Sequence, residues 1–139
     1  MARPYIGGTS AGVRSLTAST TLASADSGKT IMFTPPDSAG ALVVTLPAVA
    51  IGLEFTIVQA AAYDTAVCTV NSAEGNNWVG NIDAQTGAGD NSAGTDDKVS
   101  FGSATVAGDY IKITCDGTNW IITGSCSKVT TNGIVFAAS

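Results

Sequence analysis

Apolar side chains recur at every second position through most of this chain, in short runs closed by Gly, Pro, Asn or Asp. That spacing puts one set of side chains on one face of an extended strand and the alternate set on the other. In residues 29–34, Ile31 and Phe33 share a face; in 41–46, Leu42, Val44 and Leu46 do. Residues 53–59 set Phe55 and Ile57 against Glu54, Thr56 and Val58, and residues 98–102 place Val99 and Phe101 together. In 109–115, Ile111, Ile113 and Cys115 alternate with Tyr110, Lys112 and Thr114; in 119–124, Trp120 and Ile122 oppose Ile121 and Thr123. Residues 67–70, 78–82 and 134–136 add shorter runs. Asp116-Gly117 between two alternating segments is a hairpin signal. About nine short strands punctuated by turns predict an all-β fold: a single-domain, antiparallel β-sandwich or barrel-like fold.

Composition supports the same reading. Charged residues are 12% of the 139, about half the usual share of roughly 25%, and small residues replace them. A chain so poor in Glu, Lys, Leu and Arg makes long helices badly, and at most residues 60–63 suggest a helical turn. The length suits one compact domain. No internal repeat of fixed period is visible.

Charge narrows the function. The formal net charge is −5 and the six cations, Arg3, Arg14, Lys29, Lys98, Lys112 and Lys128, are scattered. Nucleic-acid binding needs clustered cations, so no nucleic-acid partner is expected. Histidine is absent, which removes the commonest general base and most zinc sites. No apolar run approaches the length of a membrane span, and the first residues lack a signal-peptide core. The expectation is synthesis in the cytoplasm with no membrane partner.

Cys68, Cys115 and Cys126 show no CxxC spacing, and are read as reduced, packed thiols; a Cys115–Cys126 disulfide stays open as the alternative. Glu54 and Glu74 do not suggest a paired-carboxylate hydrolase. Ser27-Gly28-Lys29-Thr30 lacks the upstream glycine of a phosphate loop and leads into a strand, so Gly28 is read as a turn residue. Segment 84–97 holds no large apolar side chain and three carboxylates, Asp90, Asp96 and Asp97. It lacks the closing Glu of a calcium loop and is read as a solvated loop. Trp120 is expected in the core. Trp78 follows a polar turn, and either indole is a conceivable sugar platform. No enzyme activity, cofactor or metal is expected.

Residues 1–25 read as an extended amino-terminal arm ahead of a β domain at 26–139. Gly7-Gly8-Thr9-Ser10-Ala11-Gly12 can bury little, although Leu16, Thr20 and Leu22 could form a weak first strand. The arm is either a tail or a segment ordered by lying on another subunit.

Several segments fall in a familiar order: Ser27-Gly28-Lys29-Thr30, Val44-Thr45-Leu46-Pro47-Ala48, Gly52-Leu53-Glu54-Phe55-Thr56-Ile57-Val58, Cys115-Asp116-Gly117-Thr118-Asn119-Trp120 and Gly133-Ile134-Val135-Phe136. Over residues 20–136 the chain resembles a family of small bacteriophage virion proteins that look like head decoration, or cement, proteins. It departs from the pattern in having Cys115 where Ser is usual, and in segment 84–97. The resemblance implies a non-enzymatic structural protein on the outer surface of a capsid, bound to the major capsid protein lattice and associated with itself as a homotrimer. Arg3, Tyr5, Ile6 and Arg14 are the expected contacts to the capsid or neighbouring subunits. The alternative is a receptor- or carbohydrate-binding module of a phage tail fibre or spike.

Overall fold

The computed structural model describes residues 12–34, 41–62, 67–75, 77–86, 88–128 and 132–138. The Pro35-Pro36-Asp37 turn and Tyr63 lie outside them, and residues 60–62 form no helical turn. The first half holds six strands: Val13–Leu16 (β1), Thr20–Thr21 (β2), Thr30–Phe33 (β3), Leu42–Thr45 (β4), Glu54–Gln59 (β5) and Cys68–Asn71 (β6). The second holds Trp78–Ala84 (β7), Asp90–Asn91 (β8), Lys98–Phe101 (β9), Tyr110–Cys115 (β10), Trp120–Cys126 (β11) and Ile134–Ala137 (β12). The only helical element among the described residues is a 3-10 turn, Ser24–Asp26.

Two sheets pack face to face as a β-sandwich. One has seven strands in the order β1-β3-β5-β10-β11-β7-β8, the other five in the order β12-β9-β6-β4-β2. The expected alternating faces hold: Ile31, Phe33, Leu42, Val44, Phe55, Ile57, Ile111, Ile113 and Ile122 are all buried in one shared core. Phe33 of the larger sheet meets Phe101 of the smaller edge-on, ring centroids 5.3 Å apart, a preferred aromatic geometry.

The all-antiparallel expectation is corrected. β1–β3, β3–β5, β2–β4, β4–β6 and β7–β11 are parallel, while β5–β10, β6–β9, β9–β12, β10–β11 and β7–β8 are antiparallel. The cause lies in how the first half is wound. From β1 to β6 the chain alternates between the two sheets at every strand, and each strand lies beside the one two earlier. The result is three stacked rungs, as in a short two-sided β-solenoid. Thr30 sits beside Thr56 and Leu42 beside Cys68, so a repeat exists in space that residue identities do not display.

The boundary expected at residue 25 also moves. β1 pairs with β3 from Val13↔Thr30 to Leu16↔Phe33, and Leu16 and Leu22 are buried in the common core. Residues 13–25 therefore form the first rung of the body. Their apolar positions fill the space between the sheets, which an arm lying on another subunit would leave empty.

The Asp116-Gly117 hairpin forms as expected. β10 and β11 pair from Tyr110↔Ser125 to Cys115↔Trp120. Asp116 Oδ1 accepts hydrogen bonds from the N–H groups of Thr118 at 2.8 Å and Asn119 at 2.7 Å, and Gly117 supplies a positive φ of 101°, which costs glycine little.

Candidate functional site

Arg14 is the one described residue among the four expected contacts; Arg3, Tyr5 and Ile6 lie outside the described residues. Arg14 is engaged within its own chain. Its Nη1 donates to Asp26 Oδ2 at 2.9 Å, while Lys29 Nζ donates to Asp26 Oδ1 at 2.7 Å. The Ala23 N–H also donates to Asp26 Oδ2 at 3.0 Å. The Lys29 hydrogen bond, then the Ala23 N–H and the nearby Arg14 charge, lower the Asp26 pKa against the opposing effect of burial. The cluster ties β1 to the turn before β3 and pairs one carboxylate with two cations, a local sum of +1. Arg14, 37% exposed at its side chain, keeps only part of its surface for a partner.

A second buried carboxylate, Asp109, joins the start of β10 to the end of β11. Its Oδ1 accepts from the Ser127 N–H at 2.9 Å and the Ser127 hydroxyl at 2.7 Å, and its Oδ2 accepts from the Val106 N–H at 3.0 Å. The Cys126 thiol donates to the Lys128 carbonyl at 2.9 Å. Burial, foremost, and the Asp109 charge push the Cys126 thiol above its ordinary pKa, so it stays protonated and inert at neutral pH. All three cysteines are buried. Cys115 and Cys126 end up at opposite ends of the β10–β11 hairpin, since Cys115 pairs with Trp120 while Cys126 lies beside Ala84. The disulfide alternative falls on that separation.

Segment 84–97 is more integrated than a solvated loop. It contributes β8, whose Asn91 and Asp90 pair with Asn81 and Ile82. Asp90 Oδ2 accepts from the Phe136 N–H of β12 at 2.6 Å, and buried Asp96 accepts from the Ala93 N–H at 2.6 Å. These carboxylates replace missing backbone partners at separate places, and no group of three metal-ligating side chains converges among the described residues.

Trp78 and Trp120 sit side by side on neighbouring strands, and are 1% and 0% exposed. Neither offers a face to a sugar. Gly28 makes the expected turn, with φ of 82° and its N–H donating to the Glu54 carbonyl at 2.8 Å. A polar depression of about 110 Å³ lies among Gly28, Glu54, Phe55, Thr56 and Lys112, well below the roughly 300–1,000 Å³ of small-molecule sites.

The sheet exteriors offer area of a different kind. The outward positions of the five-stranded sheet form two rows by register: Val43, Thr69, Ser100 and Val135, then Thr45, Asn71, Lys98 and Ala137. Lys98 is their single charge, and all eight are half-buried by their neighbours. The seven-stranded exterior carries exposed Tyr110, Ile121 and Val79 among polar residues and the charged Glu54, Lys112 and Asp83. The alternation in the sequence marked these positions as outward, but with the strands unpaired they could not be assembled into faces. No protein-family model matches this chain, and no curated protein matches it.

Proposed function

We propose that this chain is a non-enzymatic structural protein of a bacteriophage virion. It decorates and stabilises the outside of the capsid, bound to the major capsid protein lattice as a homotrimer. The reading joins the ordered motifs of residues 20–136 to one structural observation. On a chain of net charge −5, the outward rows of the five-stranded sheet are short, mostly uncharged side chains with Lys98 as their single charge. Such a surface can lie against another protein with little desolvation cost. Three copies, each making a weak contact, would gain avidity without catalytic chemistry. The reading needs no cofactor, nucleic acid or membrane, and places the protein on the virion after synthesis in the host cytoplasm. The tail-fibre alternative drew on the tryptophans and the Asn-rich turns for sugar recognition, and both tryptophans are buried.

Electron cryo-microscopy of the intact particle tests it. Density for this sandwich over the head shell supports the proposal, and density at a tail appendage alone overturns it. Removing residues 1–11 tests the part assigned to Arg3, Tyr5 and Ile6: capsid occupancy should fall while the melting temperature holds. Unchanged occupancy would remove those residues from the contact.

A further inference from the structure

Asn132-Gly133, just ahead of β12, is the one Asn-Gly pair in the chain; the other asparagines precede Ser, Asn, Trp or Ile. Asparagine is thermally labile because the nitrogen of the next residue can attack its side-chain carbonyl. Glycine, lacking a Cβ, leaves that approach clear. Asn132 is exposed, and Gly133 behind it is buried. Both are anchored to the turn after β9: the Ala104 N–H donates to the Asn132 carbonyl and the Gly102 N–H to the Gly133 carbonyl, each at 2.9 Å. A Cβ added at Gly102 would collide with the Asn132 carbonyl, so the two segments lie in direct contact. That carbonyl belongs to the same peptide group as the Gly133 N–H. A hydrogen bond to its oxygen stabilises the group once the nitrogen has lost its proton, as hydrogen bonds to a charged form do. Burial of Gly133 opposes that loss, while the exposed carboxamide stays in reach of water. Asp116-Gly117 has the atoms for the same ring closure, and the hairpin holds them apart. Asp116 Oδ1 accepts from the Thr118 and Asn119 N–H groups at 2.8 and 2.7 Å, and the Gly117 N–H donates to Cys115 Sγ at 3.4 Å. An ionised carboxyl held by two donors is a poor target, and the nitrogen that would attack it is engaged elsewhere.

We propose that Asn132 is a site of spontaneous modification, converted in the folded protein to aspartate and isoaspartate. The Gly133 nitrogen gives its proton to water or hydroxide and bonds to Asn132 Cγ. The Cγ–Nδ2 bond breaks, and the departing nitrogen takes a proton from solvent and leaves as ammonia. Water then opens the cyclic imide. Attack at Cγ yields aspartate; attack at the backbone carbonyl carbon yields isoaspartate, whose main chain runs through the former side chain. The sum is asparagine plus water to aspartate or isoaspartate plus ammonia, with no oxidant or cofactor. Each conversion adds one negative charge, taking the formal charge from −5 to −6. The isoaspartyl form also lengthens the main chain by one atom between residues 132 and 133. That atom enters between the two carbonyls held by Ala104 and Gly102, directly ahead of the Ile134↔Phe101 pairing of β12 with β9. The junction has no slack to absorb it, so the start of β12 is strained.

The test ages the purified full chain at mildly alkaline pH, native and in urea, and locates isoaspartate by peptide mapping with mass spectrometry. Circular dichroism checks that the native sample stays folded. In urea, both Asn132 and Asp116 should yield isoaspartate. In the native chain Asn132 should still react, more slowly, while Asp116 is spared. Folding should therefore raise the yield at 132 relative to 116 by at least about tenfold, a barrier difference of about 1.4 kcal/mol. A native chain unmodified at 132 while the unfolded chain is converted there overturns the inference, and so does an unchanged ratio. Asn132→Gln, a conservative change at an exposed position, should remove the acidic species, because its longer side chain closes the corresponding ring far more slowly. An acidic species that persists in this variant would place the reaction elsewhere and overturn the assignment. Fresh Asn132→Asp carries the added charge on an unaltered main chain, so the isoaspartyl fraction should melt below it. Equal melting temperatures would overturn the strain assigned to the start of β12.

Discussion

Asp26 shows what single side chains do in this molecule. It is a carboxylate nine-tenths covered by its surroundings, with a cation on each oxygen and a backbone N–H besides. Its pKa is lowered from 3.8, so its contribution is fully present above about pH 4, the unfolded value. That contribution is lost as pH falls through the lowered folded value. Asp26→Asn should cost about 1–3 kcal/mol in urea unfolding at pH 7, the range for hydrogen bonds to charged groups. Most of this belongs to Lys29 and Ala23, because the half-exposed Arg14 contact is screened. The cost of the same variant should shrink steadily as the pH is lowered below about 4, and a cost that stays constant through that range would show that the charge is not the cause. Cys126 runs the opposite way: a raised thiol pKa favours the folded state below the unfolded value and loses that advantage as pH rises through the folded one. With all three thiols buried, a thiol reagent at pH 8 should label the native protein slowly and all three positions on denaturation. Rapid native labelling would contradict the burial. Neither the Asp26 cluster nor the Asp109 hub was legible in the sequence, since each joins residues that only the folded path brings together.

At the level of strands, the alternation carried most of the information. The segments around Ile31, Val44, Ile57, Val99, Ile113 and Ile122 became strands, with the expected side chains inward, because period two and side-chain polarity are local properties. Pairing is not local. The step from Val13 to its neighbour Thr30 is much shorter than that from Thr30 to Thr56, so connections of unequal length hide the rungs from any search for a fixed period. β8 was missed because Asp90 and Asn91 have poor strand propensity and are held there by their neighbours. Gly80 shows the same limit in one position. It stands in β7 with φ of 148°, beside Ile122 of β11, and a Cβ added there would collide with the Ile122 backbone. In sequence it is only a glycine inside a strand, a mark of close backbone approach. Backbone cannot swing aside as a side-chain tip can, so Gly80→Ala should lower stability by about 2–4 kcal/mol. Chemical denaturation would read this, and a change under 0.5 kcal/mol (the ordinary surface range) would show that the two strands part easily.

Across the whole molecule, the wound half and the hairpin half share both sheets. β5 pairs with β10 in one and β6 with β9 in the other, so antiparallel strands continue the stack on one side, while the first rung is its outermost layer on the other among the described residues. That rung covers the edges of β3 and β4. Removing residues 1–20 would strip β1, expose the β3 edge beside Phe33, and withdraw buried Leu16 from the core. Loss of one buried leucine alone is worth about 1.5–3 kcal/mol, and a bared edge strand invites pairing between chains. The shorter deletion of residues 1–11 leaves every described strand in place. The two truncations should therefore separate cleanly in a thermal melt followed by light scattering. The shorter one should match the full chain, and the longer should melt several degrees lower and aggregate. If the longer truncation melted with the full chain, β1 would be an appendage after all, and the boundary of the body would return to the neighbourhood of residue 25.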